Sequence, residues 1–134
     1  LSSATPPEHL HVTTDVGSRS GDVSLEVDLL GVDMSSLVAG ALATAPNATT
    51  SRLVARRESD VDMSPEEVAG VARVVSDNIR ELVHDREPHL VHMFVAAPVE
   101  VAVLIGHRLT SLHANFQLYE RDGHRYVPTL RLAC

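Results

Sequence analysis

Residues 89–109, HLVHMFVAAPVEVAVLIGHRL, decide the fold. Leu90 to Val95 form a short, mostly apolar run flanked by the polar DREPH, which suits a strand covered on both faces. From Pro98 onward the apolar residues thicken into a helix. Pro98 stands at its expected first position, where a missing N–H costs nothing and φ is already helical. Ala96 and Ala97 make a turn of small side chains between the two. A strand that feeds a helix N-terminus in this way is how α/β folds hold anionic ligands. It is also how they turn a corner, and both readings stand for Ala96, Ala97 and Pro98.

Working outward, residues 64–85 are the surest element. Ser64 and Glu67 have the S-x-x-E spacing of a capping box, Pro65 opens the helix, and Val68, Ala72, Val75, Ile79 and Leu82 make one stripe. Before it, residues 51–57, SRLVARR, read as a strand leaving through two adjacent arginines. Residues 32–45 carry Leu37, Val38, Ala41 and Leu42 at helical spacing, with Asp33 or Ser35 able to cap the start. Residues 22–30 alternate Val23, Leu25, Val27 and Leu29 on one face of a central or half-buried strand, which Gly31 breaks. HLHVTTDV forms a weaker first strand. At the other end NFQLYE and RYVPTLRL alternate around RDGH, a hairpin whose Pro128 marks an edge. Strand and helix alternate, which predicts a mainly parallel sheet with helices on both faces and an antiparallel C-terminal hairpin. Residues 1–8 read as a linker or frayed end, and 9–134 as a single domain.

Composition agrees. The chain has 134 residues, 44% hydrophobic, but aromatics are only 3% and Trp is absent, so Val, Leu and Ala must build the core. A net charge of −7, with all 11 basic residues arginine, argues against broad binding to duplex nucleic acid or to an anionic membrane. It leaves room for a small phosphate ligand held by a few arginines and backbone amides. There is no apolar run of about 18 residues and no signal peptide, so no membrane span is expected. The one cysteine, Cys134, allows no internal disulfide and fits a reducing cytoplasm. The chain opens on Leu1, which suggests a piece of something longer.

Ligands of open α/β sheets bind beyond the carboxyl ends of the strands. Four segments are expected there: residues 31–36, 56–58, 96–100 and 119–121. The first offers the Ser35 and Ser36 hydroxyls, as ligand contacts or plain caps. The second offers Arg56 and Arg57, of which alternation aims only one at a given face; a solvated strand end is the competing reading. Tyr119 and Glu120 are either contacts or ordinary strand residues. The histidines are scattered without metal-ligand spacing, and no nucleophile elbow, phosphate-binding loop or dinucleotide fingerprint occurs. No metal, cofactor or catalytic residue is nominated, which favours a binding module over an enzyme.

With these residues placed, VHMFVAAPVEVAVLIGHRL, QLYERDG and YVPTLRL together resemble the C-terminal half of SAVED domains, sensor modules of cyclic-oligonucleotide-based anti-phage systems in bacteria. The resemblance is carried by His92, Phe94, Ala96 and Pro98, then Gly106, then Tyr119, Glu120, Tyr126 and Pro128. It spans residues 88–132 by pattern and 22–85 in layout. It implies a Rossmann-like half related to CARF sensors, recognition of a cyclic di- or trinucleotide, and head-to-tail assembly with other copies that activates a fused or separate effector. A complete SAVED domain resembles two such halves with the ligand between them, and this length supplies one. Two other classes remain: an assembly module that uses the exposed face of the last hairpin without nucleotide, and an enzyme that cleaves the nucleotide it binds.

Overall fold

β2 (Asp22–Asp28) is buried along its whole length, and the rest of the fold is arranged around it. In the computed structural model, which describes residues 7–18, 21–58 and 62–133, nine elements follow in order. They are β1 (Leu10–Asp15), β2, α1 (Ser35–Ala43), β3 (Thr49–Arg57), α2 (Pro65–Arg86), β4 (Val91–Ala96), α3 (Val99–Arg108), β5 (Asn115–Asp122) and β6 (Arg125–Ala133). They form one six-stranded sheet in the order β1-β3-β2-β4-β5-β6.

β3, β2, β4 and β5 run parallel, as the alternation requires, and β6 returns antiparallel through a turn at Gly123, where φ is 64°. The expected fold is present, with one change. β1 is also antiparallel, pairing with the outer side of β3, so the sheet is mixed at both ends. The link from Asp15 to Asp22 is too short for the dozen or more residues that a parallel crossover needs.

The two faces differ. Val23, Leu25, Val27, Leu53, Ala55, Val91 and Met93 meet α2 and α3 in the larger core, built around Val71, Val75, Ile79, Val101 and Ile105. The opposite face carries Asp22, Ser24, Glu26, Asp28, His92 and Phe94, all buried. There α1 sets Met34, Val38 and Ala41 against Phe94 and Tyr126.

The helix starts test the local reading. The capping box of α2 is formed: the Glu67 N–H donates to Ser64 Oγ at 3.2 Å, and the Ser64 N–H to the Glu67 carboxylate at 3.4 Å. α1 departs from expectation. Its N-cap is Met34, with no side-chain cap, because Asp33 sits in the left-handed region at φ 47° and the Ser35 hydroxyl donates to Asp33 Oδ1 at 3.0 Å. In α3, Pro98 is the N-cap rather than the first helical residue; its ψ of 146° is still extended, and its carbonyl accepts from the Ala102 N–H. The linker assigned to residues 1–8 lies outside the described residues except for Pro7 and Glu8, and Cys134 lies outside them too.

Candidate functional site

One register row crosses the carboxyl ends of three parallel strands: Arg56 of β3 opposes Asp28 of β2, which opposes Ala96 of β4. The end of β2 thereby joins the expected segment at Arg56 to the one that begins at Ala96. The Leu29 N–H donates to the Ala96 carbonyl at 2.8 Å, tying the exit of β2 to the turn that leads into α3.

Asp28 organises the loop beyond β2. Its carboxylate is buried and accepts from the Val32 and Asp33 N–H groups, both at 3.1 Å. Gly31, at φ 69°, and Asp33 supply the left-handed conformations that this tight loop requires. The Arg56 guanidinium lies 3.7 Å from Asp28 and 3.4 Å from the exposed Asp33 carboxylate. Its Nε is buried without a hydrogen-bond partner. Beyond this row opens a cleft of about 480 Å³ lined by Asp28, Leu30, Gly31, Asp33, Arg56, Arg57 and Glu58. Arg56 is thus held between a buried carboxylate, Asp28, and an exposed one, Asp33, and its own side chain stays partly exposed beside the cleft.

Alternation separates the arginines as expected. Arg56 belongs to the α1 face, whereas the Arg57 guanidinium is buried on the other face and donates to Glu67 of α2 at 3.3 Å. Ser35 is bonded to Asp33, and exposed Ser36 lines a different groove, about 390 Å³, between α1 and the tip of the β5–β6 hairpin with His124, Arg125 and Tyr126. Ala96 rests on the smaller core. Ala97 packs against the larger one, so its side chain is not free at the turn.

Tyr119 stands further back, stacked on Phe94 with ring centroids 4.3 Å apart. Its hydroxyl is 2.7 Å from His92 Nδ1, and His92 Nε2 is 2.8 Å from Asp22 Oδ2. The neutral tautomer that satisfies both contacts carries its proton on Nε2, donating to Asp22 and accepting from the phenol. Burial is the main cause that raises the Tyr119 pKa above 10; Asp22 adds to it and Arg131 opposes it. Alongside, Arg52 grips buried Glu26 with two bonds of 2.8 and 3.0 Å. This polar network escaped the sequence reading. Its signal was present in β2, where Asp22, Ser24, Glu26 and Asp28 occupy every second position opposite the apolar alternation. Among the described residues, no group of His, Cys, Asp and Glu is arranged to hold a metal ion.

A family model described as SAVED, the SMODS-associated and fused to various effectors sensor domain, matches residues 8–132. The chain belongs to the SAVED family. Solved SAVED structures with the same fold include the Acinetobacter baumannii Cap4 SAVED/CARF-domain containing receptor, with a TM-score of 0.73 at 18% identity over 94% of this chain. The same receptor with the cyclic trinucleotide 3'3'3'-cAAA gives 0.70 at 21% identity over 97% of this chain, and with 2'3'3'-cAAA 0.70 at 20% over 97%. This SAVED chain spans 26 to 29% of the length of those receptor chains. A comparison with curated proteins finds no match. No helix among the described residues is long and apolar enough to cross a membrane.

Proposed function

We propose that this chain is a ligand-sensing unit that binds a cyclic di- or trinucleotide at the carboxyl-end rim of its sheet. The observation that carries the reading is the row Arg56–Asp28–Ala96, set beside a polar cleft in a fold shared with receptors solved with cyclic trinucleotides. Arg56 is the anion-binding group: a phosphate oxygen takes the place of the exposed Asp33 carboxylate on its guanidinium, while Asp28 keeps the side chain aimed at the cleft. The first turns of α1, at Ser35 and Ser36, and of α3, after Pro98, have no side-chain cap and leave backbone N–H groups at the same carboxyl-end edge of the sheet. Ala96 and Ala97 keep that turn narrow. Arg57 and Tyr119 support the site from behind through Glu67 and His92.

In this reading residues 9–134 form one of two such units. Nucleotide bound between them promotes head-to-tail assembly and activates a fused or separate effector of a cytoplasmic anti-phage system. The test is calorimetry against a panel of cyclic di- and trinucleotides that includes 3'3'3'-cAAA and 2'3'3'-cAAA, with the chain alone and joined to a second unit. Saturable binding of one member that is lost in Arg56→Ala supports the reading. No binding in either format overturns it.

A further inference from the structure

The helix layer on the α2–α3 side stops short of the hairpin. Beside α3 it leaves a cleft of about 240 Å³ whose lining is wholly apolar, with Met93, Phe116 and Leu118 of the sheet below and Ala102, Gly106 and Leu109 of α3 as one wall. Ala102 and Gly106 are small, and a Cβ placed on Gly106 would meet open space, so another backbone can come close to this side of the helix. The outward side of α3 bears the opposite relief. Val99 and Val103, one turn apart, are 74% and 63% exposed. An apolar ridge therefore lies beside an apolar slot on one helix.

The charges on α3 say what fits there. Glu100 lies three residues before Val103 and His107 four residues after it, and both are exposed on the same flank of the ridge. When two identical helices pack antiparallel about a two-fold axis, like flanks meet. With the axis at Val103, Glu100 of each copy then stands beside His107 of the other. The same antiparallel order brings the N-terminal end of each helix, with its positive dipole, next to the C-terminal end of the other.

We infer that α3 is a two-fold self-association surface, on which a second copy of this chain seats its Val99–Val103 ridge against the Ala102–Gly106 slot and closes the pair with two Glu100–His107 contacts. This contact is isologous and needs no nucleotide. It lies on the face opposite α1, away from the Arg56 cleft, so it stands or falls independently of the proposed ligand site.

Analytical ultracentrifugation of the chain from about 1 to 500 µM, without nucleotide, is the test. The expected result is a monomer–dimer equilibrium whose Kd rises at least 100-fold in Val103→Glu, a surface change that leaves the far-UV circular dichroism intact. Glu100→Arg weakens the dimer by removing the carboxylate that accepts from His107, and adding His107→Glu to it restores association to within a few-fold of the parent. A monomer throughout that range overturns the inference and leaves the slot to a segment of another chain. So does a dimer indifferent to Val103→Glu, or one broken instead by Leu130→Lys on the β6 edge, or a charge reversal without rescue.

Discussion

The Tyr119 hydroxyl lies 2.7 Å from His92 Nδ1, and this single contact links the aromatic cluster under α1 to the buried carboxylate of Asp22. His92 bridges the two through its two ring nitrogens. Removing it in His92→Ala leaves a desolvated carboxylate without its donor, and the expected loss of stability is about 3–5 kcal/mol. Tyr119→Phe removes one hydrogen bond and keeps the stacked ring, at a cost of about 1 kcal/mol. Urea denaturation of the two variants checks the ordering; equal losses would mean that His92 acts by packing alone.

The tyrosines make stability depend on alkaline pH. Tyr119 and Tyr126 are the only two in the chain, and burial is the leading cause that raises both pKa values above 10. The unfolded chain then ionises its phenols at a lower pH than the folded one. The stabilisation is fully present below pH 10 and is lost as pH rises through the folded-state values. A titration of absorbance at 295 nm should show both phenols ionising above 10 in the native protein and near 10 in urea. Native midpoints at or below 10 contradict this.

The two neighbouring arginines should part company. Arg56→Ala is expected to cost at least tenfold in affinity for a bound cyclic nucleotide. Arg57→Ala breaks the buried contact to Glu67 and shows chiefly as lower stability, by about 1–3 kcal/mol. Asp33→Asn removes the carboxylate that competes for Arg56 while tolerating the left-handed backbone there, and should tighten binding severalfold. Calorimetry on the three variants decides, and unchanged affinity in both Arg56→Ala and Asp33→Asn would move the phosphate site elsewhere.

Two glycines of similar appearance should respond with opposite sign. A Cβ on Gly17 would collide with the backbone carbonyl of Thr50, and the Gly17 N–H and C=O are already engaged by Ser51 and Arg86. Gly17→Ala should cost about 1–3 kcal/mol. Gly40 lies within α1 with open space around it, so Gly40→Ala should gain about 0.5–1 kcal/mol. Thermal unfolding of both variants, scanned alike, measures the difference.

Much of the fold was legible because local signals were unmixed. The capping box at Ser64 and Glu67, the stripe from Val68 to Leu82 and the alternation of β2 each point to one element, and the structure contains all three. The start of α1 was not legible as read. Serines that favour capping were outcompeted once Asp28 reached forward to bind the Val32 and Asp33 amides. The direction of β1 depended on the length of its link to β2, which periodicity does not register. For the candidate site, the sequence named the strand ends but not the bonds among them. Which face each arginine takes follows from alternation; that Arg57 is buried against α2 follows only from where α2 packs.

β2 places a carboxylate or hydroxyl at each even position and a hydrophobic residue at each odd one, between two strands that match it row by row. A slip of one residue against β3 or β4 would turn Asp22, Glu26 and Asp28 into the apolar layer of α2 and α3. It would also strip Arg52, His92 and Arg56 of their partners. The misaligned sheet would be penalised on both faces at once. The buried ionic face thus works as a proofreading key during folding: it rejects wrong alignments of the central strand more strongly than it strengthens the right one.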